Sequence, residues 1–281
     1  MQGDNFWRSP AVLILPGLVF LLLGFIAPLG WFFVSSLREV GSLSEIASAI
    51  ASASTSRAVV QAMITTNWIA LLVTVLTLLV GYPIAYFLNT SSRLTFSLVL
   101  FSVIVPYFTS VIVRTYSWMV LLGRNGIINQ MLMGSGLISE PLPLLYNKFG
   151  IVVGMTYVLL PYMILTLYAA MKSIDPSYMR AAMAMGASRV YAFKRVYLPL
   201  SAHGAISGSL IVFILAIGFF ITPSLMGGPS DVMIAMLIER SVEIMLDWPS
   251  AAIMSILLLA LTLVLYTVYY KVTDIDRMMG A

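Results

Sequence analysis

KSIDPSYMRAAMAMGASRVYAFKRVYLP, residues 172–199, is a polar, basic island in an otherwise strongly apolar chain. It carries the cations Lys172, Arg180, Arg189, Lys194 and Arg195 against a single acid, Asp175. Long apolar runs flank it on both sides, so it reads as a structured loop that a membrane protein offers to water. Local chemistry gives the loop a shape. Asp175 is placed to cap a helix, and Pro176 falls at the first helical position, where its missing N–H costs nothing. Ser177 to Met185 are good helix formers, and Gly186 can close the helix in the left-handed region. A second short helix is predicted from about Ser188 to Tyr197, ended by Pro199, which removes a backbone donor. The expectation is two short helices meeting at a glycine corner. Met179, Ala182, Met183 and Met185 offer a soft apolar knob suited to a partner's groove.

The composition fits this reading. Of 281 residues, 60% are hydrophobic and 9% charged, with a mean hydropathy of +1.00. A soluble core does not need that much apolar content, and several windows of about 20 apolar residues are long enough to cross a lipid bilayer. The net charge of +4 is too modest to read as nucleic-acid binding, so no nucleic-acid partner is expected. Cysteine is absent, which excludes disulfides and thiolate metal sites. The first apolar run is too long for a signal-peptide core and is read as retained.

Six crossings are predicted, at about 11–37, 67–88, 95–122, 148–171, 205–226 and 250–270. All are helical, because open sheet edges cannot sit in lipid. The fold class is therefore an all-α membrane protein, read as one transmembrane domain over 1–281 with the loop 172–200 inside it. Pro16, Pro28, Pro83, Pro106 and Pro161 fall within or near the ends of spans, as possible kink points. Residues 38–66 are too broken for a span and are expected to form a helical surface loop. Residues 123–147 form a Gly- and Pro-rich loop, and a polar loop precedes the last span.

Lys and Arg orient the chain. With the N-terminus inside, the inner segments hold Arg8, Arg93, Lys271, Arg277 and the five cations of the island. The outer segments hold Arg38, Arg57, Arg124, Lys148 and Arg240 together with most of the acids. Both termini and the island are therefore expected in the cytoplasm.

Several chemistries lack their residues. No Gly-rich loop with Lys-Ser/Thr is present to cradle a nucleotide, and the only histidine, His203, cannot build a metal cluster. No Asp or Glu falls inside a predicted span, which weighs against an ion-coupled carrier. Arg114 is the one ionisable residue within a span, among Val113-Arg114-Thr115-Tyr116-Ser117-Trp118. It reads either as a pathway residue or as a side chain snorkelling to the outer surface. Tyr107, Tyr116, Trp118, Tyr157 and Tyr162 can line a cavity through hydroxyls and ring faces, or can form an interface belt. The fifth span carries Gly208 and Gly218, then Phe219 and Thr222-Pro223, then Gly227-Gly228-Pro229, a place where backbone groups can face a cavity.

The island also carries a resemblance. Arg180-Ala181-Ala182, Gly186 and Val196-Tyr197-Leu198-Pro199 resemble the EAA loop of permeases in binding-protein-dependent ABC importers. The shared pattern is an Ala pair, a Gly four residues after the second Ala, and an apolar-x-Leu-Pro ending. Four further stretches are similar to the spermidine/putrescine-type permeases. They are Ile112 to Trp118 with Leu122 to Gly126, Thr222 to Pro229, Met233-Ile234 and Asp247-Trp248-Pro249. The resemblance implies six transmembrane helices in the type I importer permease fold, in the bacterial inner membrane. It implies a second, homologous permease subunit, two ATPase subunits and a periplasmic substrate-binding protein. The chain would then be no enzyme and hold no cofactor, since ATP and Mg sit on the ATPase. The loop would be the coupling helix, with Arg180, Ala181, Ala182, Met183, Gly186, Ala187 and Phe193 in contact with it or supporting it. Two departures stand out. Arg180 replaces the acid that opens the family loop, and Phe219 and Ser224 stand where related permeases commonly carry acids.

The function expected is a permease subunit for ATP-driven uptake of a small polar metabolite, such as a polyamine, an opine or an amino-acid-like solute. The substrate pathway would use Tyr107, Arg114, Tyr116, Trp118, Tyr157, Tyr162, Phe219 and Thr222. An ion-coupled carrier and a non-transporting scaffold remain alternatives on the sequence.

Overall fold

The computed structural model describes residues 10–273; Asp4, Arg8 and Arg277 lie outside them. Every regular element among these residues is helical. In order they are α1 (Pro10–Leu21), α2 (Ala27–Val40), α3 (Leu43–Thr55), α4 (Arg57–Thr90), α5 (Arg93–Ile104), α6 (Val111–Leu122), α7 (Ile127–Gly134), α8 (Lys148–Lys172), α9 (Pro176–Ala184), α10 (Arg189–Ala192), α11 (Leu198–Ile217), α12 (Ile221–Met226), α13 (Ile234–Glu243) and α14 (Trp248–Thr273). Five stretches are long and apolar enough to cross a membrane: Ile14–Val40, Arg57–Thr90, Lys148–Lys172, Arg189–Ile217 and Trp248–Tyr269. The pair Arg93–Phe108 and Val111–Gly134, bent by 105°, makes a sixth if it counts as one span.

Three predicted boundaries shift, each for a local reason. The third span is broken. Pro106 lies in a 3-10 turn, Val105–Phe108, and the chain leaves helical geometry at Thr109. The second span begins ten residues earlier than predicted, at Arg57, and continues through Pro83 to Thr90. The helix after the corner does not end at Pro199. It passes through a π turn, Phe193–Tyr197, into α11, with the Leu198 N–H bonded to the Phe193 carbonyl. An i→i+5 turn carries the bonding past the position where proline offers no donor. The same arrangement occurs at Leu22–Ile26, two residues before Pro28. Two of the predicted loops also hold short helices, α7 and α13.

The chain divides into two compact bodies, residues 10–56 with 238–257, and residues 57–237 with 258–273. In the first, no residue is buried in the most apolar 18 residues of Ile14–Val40, and Ser36 is buried on α2. Its α3 opens with a capping box, in which the Glu45 carboxylate accepts from the Ser42 backbone N–H at 2.6 Å. That bond holds the Glu45 carboxyl below its ordinary range.

The second body is built on α4, α8 and α11. Six of the fully or almost fully buried side chains of α8, Ile151, Met155, Leu159, Met163, Leu167 and Met171, recur every four residues. Such a stripe drifts by about 40° per step, so it winds around α8 and is covered by more than one neighbour. Lipid offers no hydrophobic drive for helices to associate, and small residues must allow close approach instead. A Cβ at Gly204 would lie 2.5 Å from Ala170 Cβ, and one at Gly208 2.8 Å from Met163 Sδ. Two buried hydroxyls of α4 are satisfied locally. Thr66 and Thr74 donate to Ala62 and Ala70 carbonyls, both at 2.7 Å.

Candidate functional site

The breaks in the third and fifth spans bring two short helices together against α8. After Thr109-Ser110 the chain starts α6, and one face of α6 turns inward with Arg114 7% exposed, Thr115 1% and Leu122 2%. After Gly218-Phe220 it starts α12, where Thr222 is fully buried. The Thr115 and Thr222 hydroxyls meet at 3.0 Å. Thr115 also donates to the Val111 carbonyl at 2.9 Å, so Thr222 supplies the proton of the hydroxyl pair. Gly154 makes room for this contact, since a Cβ there would lie 2.7 Å from Thr222 Cγ2 and from Met226 Sδ.

Aromatic side chains continue the same region. Trp118 meets Tyr157 edge-on with centroids 5.5 Å apart. Tyr107 meets Tyr162 at 5.4 Å, and the Tyr162 hydroxyl donates to that of Tyr107 at 3.3 Å. Arg114 is buried on the inward face of α6. Its Nε is buried without a hydrogen-bond partner, as are Thr156 Oγ1 and Asn67 Oδ1. Seven of the eight expected pathway residues lie on the 3-10 turn Val105–Phe108, α6, α8 and α12. One of the seven, Tyr116, faces away from Arg114. It is two residues from Arg114, on the opposite face of α6, and 52% exposed. Phe219 sits in the break before α12 and packs against the α4, α8 and α11 core. His203 is half-buried on α11. Among the described residues, no group of three or more His, Asp or Glu can hold a metal ion.

The basic island forms the elbow that its residues imply. Asp175 accepts the Ser177 N–H at 2.7 Å with Pro176 next in line. That bond, with a smaller contribution from Arg180, holds the Asp175 carboxyl below its ordinary range. Gly186 has φ +91°. The Gly186 N–H bonds the Met183 carbonyl at 3.0 Å, and the Ala187 N–H bonds that of Ala182 at 3.1 Å, the paired bonds of a Schellman ending. Ser188 then caps α10 by accepting the Tyr191 N–H.

The knob is smaller than expected. Met183 and Met185 point outward, the latter 84% exposed, whereas Ala182 is 7% exposed and Met179 packs inward. Arg180 and Ala181 are exposed. Phe193 is turned away from the outer surface. It stacks on Tyr197 at 5.7 Å and meets Tyr86 edge-on at 5.3 Å.

This inward side contains residues that sequence reasoning missed. Asn89 donates to the Tyr197 hydroxyl at 3.1 Å and to the Met171 carbonyl at 3.3 Å, and the Tyr82 and Ser201 hydroxyls lie 2.6 Å apart. The elbow is thereby fastened to α4 and to the end of α8. A signal was present in the spacing of Tyr82 with Tyr86 and of Phe193 with Tyr197, each pair four residues apart and so on one helix face.

Broken spans beside a buried cation, joined to a basic elbow, are the parts of a transport subunit, and the comparison with known families agrees. The family model described as "Binding-protein-dependent transport system inner membrane component" matches residues 5–274. The chain belongs to this family. The permease is 36% identical over 198 residues to the spermidine/putrescine transport system permease protein PotB of Haemophilus influenzae, covering 70% of this chain and 69% of that protein. It is 33% identical over 202 residues to PotB of Escherichia coli K12, covering 72% and 74%. It is also 29% identical over 255 residues to the inner membrane ABC transporter permease protein YdcU of Escherichia coli K12, covering 80% and 78%. Among solved structures, a bacterial alginate ABC transporter in complex with its alginate pentasaccharide-bound periplasmic protein superposes with a TM-score of 0.71. That match has 18% identity and covers 96% of this chain and 95% of the other. The permease is thus a multi-pass inner-membrane subunit of a binding-protein-dependent ABC importer, whose ATPase is a separate subunit. Membership sets aside the stand-alone carrier and the scaffold.

Proposed function

We propose that this permease forms half of a translocation pathway, paired with a second permease subunit above two ATPase subunits and supplied by a periplasmic binding protein. Both termini and the elbow face the cytoplasm, following the distribution of Lys and Arg. The chain works as a single permease domain, with 172–200 as the loop that receives the ATPase stroke. The pathway passes the cluster of Tyr107, Arg114, Thr115, Trp118, Tyr157, Tyr162 and Thr222. Closure of the ATPases shifts the elbow, and the aromatic fastening at Tyr86, Phe193 and Tyr197 passes that movement to α4 and α11. Such a switch works by differential stability of two states.

The substrate is a small polar metabolite. Relatives named for spermidine and putrescine support a polyamine. A specific observation supports a second reading, a solute carrying a carboxylate. Arg114 is buried with an unpartnered Nε. An unsatisfied buried donor costs about 1–3 kcal/mol, and a carboxylate would satisfy it. A like-charged ammonium about 6 Å away would instead meet roughly 3 kcal/mol of repulsion at an effective dielectric of about 20. The single observation that carries the pathway assignment is this buried guanidinium, its Nε unpartnered, on the helix that follows the break in the third span.

The test is substrate-stimulated ATP hydrolysis in the reconstituted complex with its binding protein. Arg114→Ala is expected to reduce the stimulation at least tenfold, with Arg114→Lys intermediate. Full stimulation of Arg114→Ala at every substrate concentration refutes the assignment. Stimulation by polyamines alone, against a panel of amino acids and opines, refutes the carboxylate reading.

A further inference from the structure

We propose that the cleft between the elbow and the adjoining end of α4 is a binding site for a small zwitterion, a solute with one ammonium and one carboxylate. Occupancy holds the elbow against α4. The site stands on its own geometry; only its effect on the stroke rests on the coupling role proposed above.

The cleft has about 480 Å³ of space, within the roughly 300–1,000 Å³ of small-molecule sites. Its walls come from two places in the chain. The end of α4 supplies Tyr86, Asn89 and Thr90, and the elbow supplies Asp175, Arg189 and Tyr197. Met179 and Met183 add apolar lining, which suits the methylenes of a short solute.

Opposite charges line this one cavity without neutralising each other. Asp175 is fixed ahead of α9 by the Ser177 N–H at 2.7 Å, and Arg189 is the first residue of α10, after the Ser188 cap. Both are exposed, and among the described residues neither forms an ion pair. The neutral groups are only partly used. Asn89 gives its amide N–H groups to the Tyr197 hydroxyl and the Met171 carbonyl, which leaves its Oδ1 as an acceptor. The Tyr197 hydroxyl accepts from Asn89 and, among the described residues, donates to none. Its side chain is 6% exposed, and a buried hydroxyl proton needs an acceptor.

These groups name the ligand. An ammonium is matched by the Asp175 carboxylate, Asn89 Oδ1 and the Tyr86 ring. A carboxylate is matched by the Arg189 guanidinium and the Tyr197 hydroxyl. A dication would be repelled by Arg189, and a phosphate by Asp175. A solute held by both walls stabilises the arrangement in which they lie together, and so slows a cycle that moves the elbow relative to α4.

The test uses the assembled complex in nanodiscs and ω-amino acids of increasing length: glycine, β-alanine, γ-aminobutyrate and ε-aminocaproate. Butylamine and butyrate are the single-charge controls, and binding is measured by equilibrium dialysis of radiolabelled probe. At least one ω-amino acid is expected to bind at least tenfold more tightly than either control. Asp175→Asn, which keeps a capping oxygen, and Arg189→Gln should each weaken that binding at least tenfold. Thr90→Trp, which fills the cleft from the α4 side, should abolish it. Thr90 and Arg189 are exposed, so both of these variants should still fold. Arg114→Ala should leave the binding unchanged. No binding by any ω-amino acid, or equal binding by a control, overturns the site. Binding lost in Arg114→Ala but kept in Arg189→Gln assigns the probe to the translocation pathway and also overturns it. The bound probe should slow ATP hydrolysis by the wild-type complex at least twofold and leave the Arg189→Gln complex unaffected. Binding without slowing overturns the hold on the stroke and leaves the site standing. Normal transport by Gly186→Val, by contrast, removes the coupling role without touching the binding result.

Discussion

Gly186 offers a clean perturbation because its two possible costs can be separated. A Cβ built there meets nothing within 4 Å, yet the residue holds φ +91°. Substitution therefore adds backbone strain with no clash. Placing an L-residue in the left-handed region costs about 1–2 kcal/mol. Asn pays less, since its short polar side chain tolerates this conformation, and β-branched Val the most. A penalty of about 1–2 kcal/mol changes the ratio of closed to opened corner by roughly 5–30-fold. The site is exposed and lies outside the α4, α8 and α11 core, so insertion and thermal stability should stay close to wild type. Uptake and substrate-stimulated ATP hydrolysis in the reconstituted complex should fall in the order Gly, Asn, Ala, Val, with Val near background. Wild-type transport by Gly186→Val, or Asn performing worse than Val, refutes the claim that a left-handed corner transmits the stroke.

The remaining predictions concern the membrane body. Thr115→Val leaves the buried Thr222 hydroxyl of the 3.0 Å pair without its partner, at about 1–3 kcal/mol, whereas Thr222→Val should cost less, because Thr115 keeps its bond to the Val111 carbonyl. The double variant should cost less than the sum by about 0.5 kcal/mol or more, and thermal unfolding that is additive within about 0.3 kcal/mol argues against the latch. Gly204→Leu forces α11 from α8, since even a Cβ would lie 2.5 Å from that of Ala170. It should lower stability by at least the roughly 1–3 kcal/mol of overpacking. Gly30→Leu, with open space around it, should be near neutral, and equal melting shifts for the two would contradict the packing.

The elbow was the most legible part of the sequence because its determinants are local. Asp175, Pro176 and Gly186 act on their own backbone and need no tertiary contact. Membrane spans were legible by length and apolarity, but their ends were not. Polar residues such as Thr66 and Asn67 look like loop until their surroundings are known. The bend at Thr109 was hidden for a related reason, since Pro83 and Pro161 sit inside continuous helices while Pro106 precedes a break. Only the packing around each proline separates the cases. Within the pathway, Arg114 stood out by charge, whereas Thr115 gave no sign of its role, because a threonine in a membrane helix usually bonds its own backbone. Tyr116 could not be told apart from its neighbours without the helix phase, which sets it two residues and about 200° from Arg114.

The wide turn at Phe193–Tyr197 has a consequence for how this chain tolerates changes in length. A π turn is an α-helix with one residue inserted. Removing a residue within that turn restores ordinary winding and leaves every later side chain of α11 facing its present neighbour. Removing one between Ser201 and Ala216 instead rotates all that follows by about 100° and turns Thr222 away from Thr115. Deletions a few positions apart along one crossing thus have opposite outcomes, and the tolerant position lies at the joint between elbow and membrane.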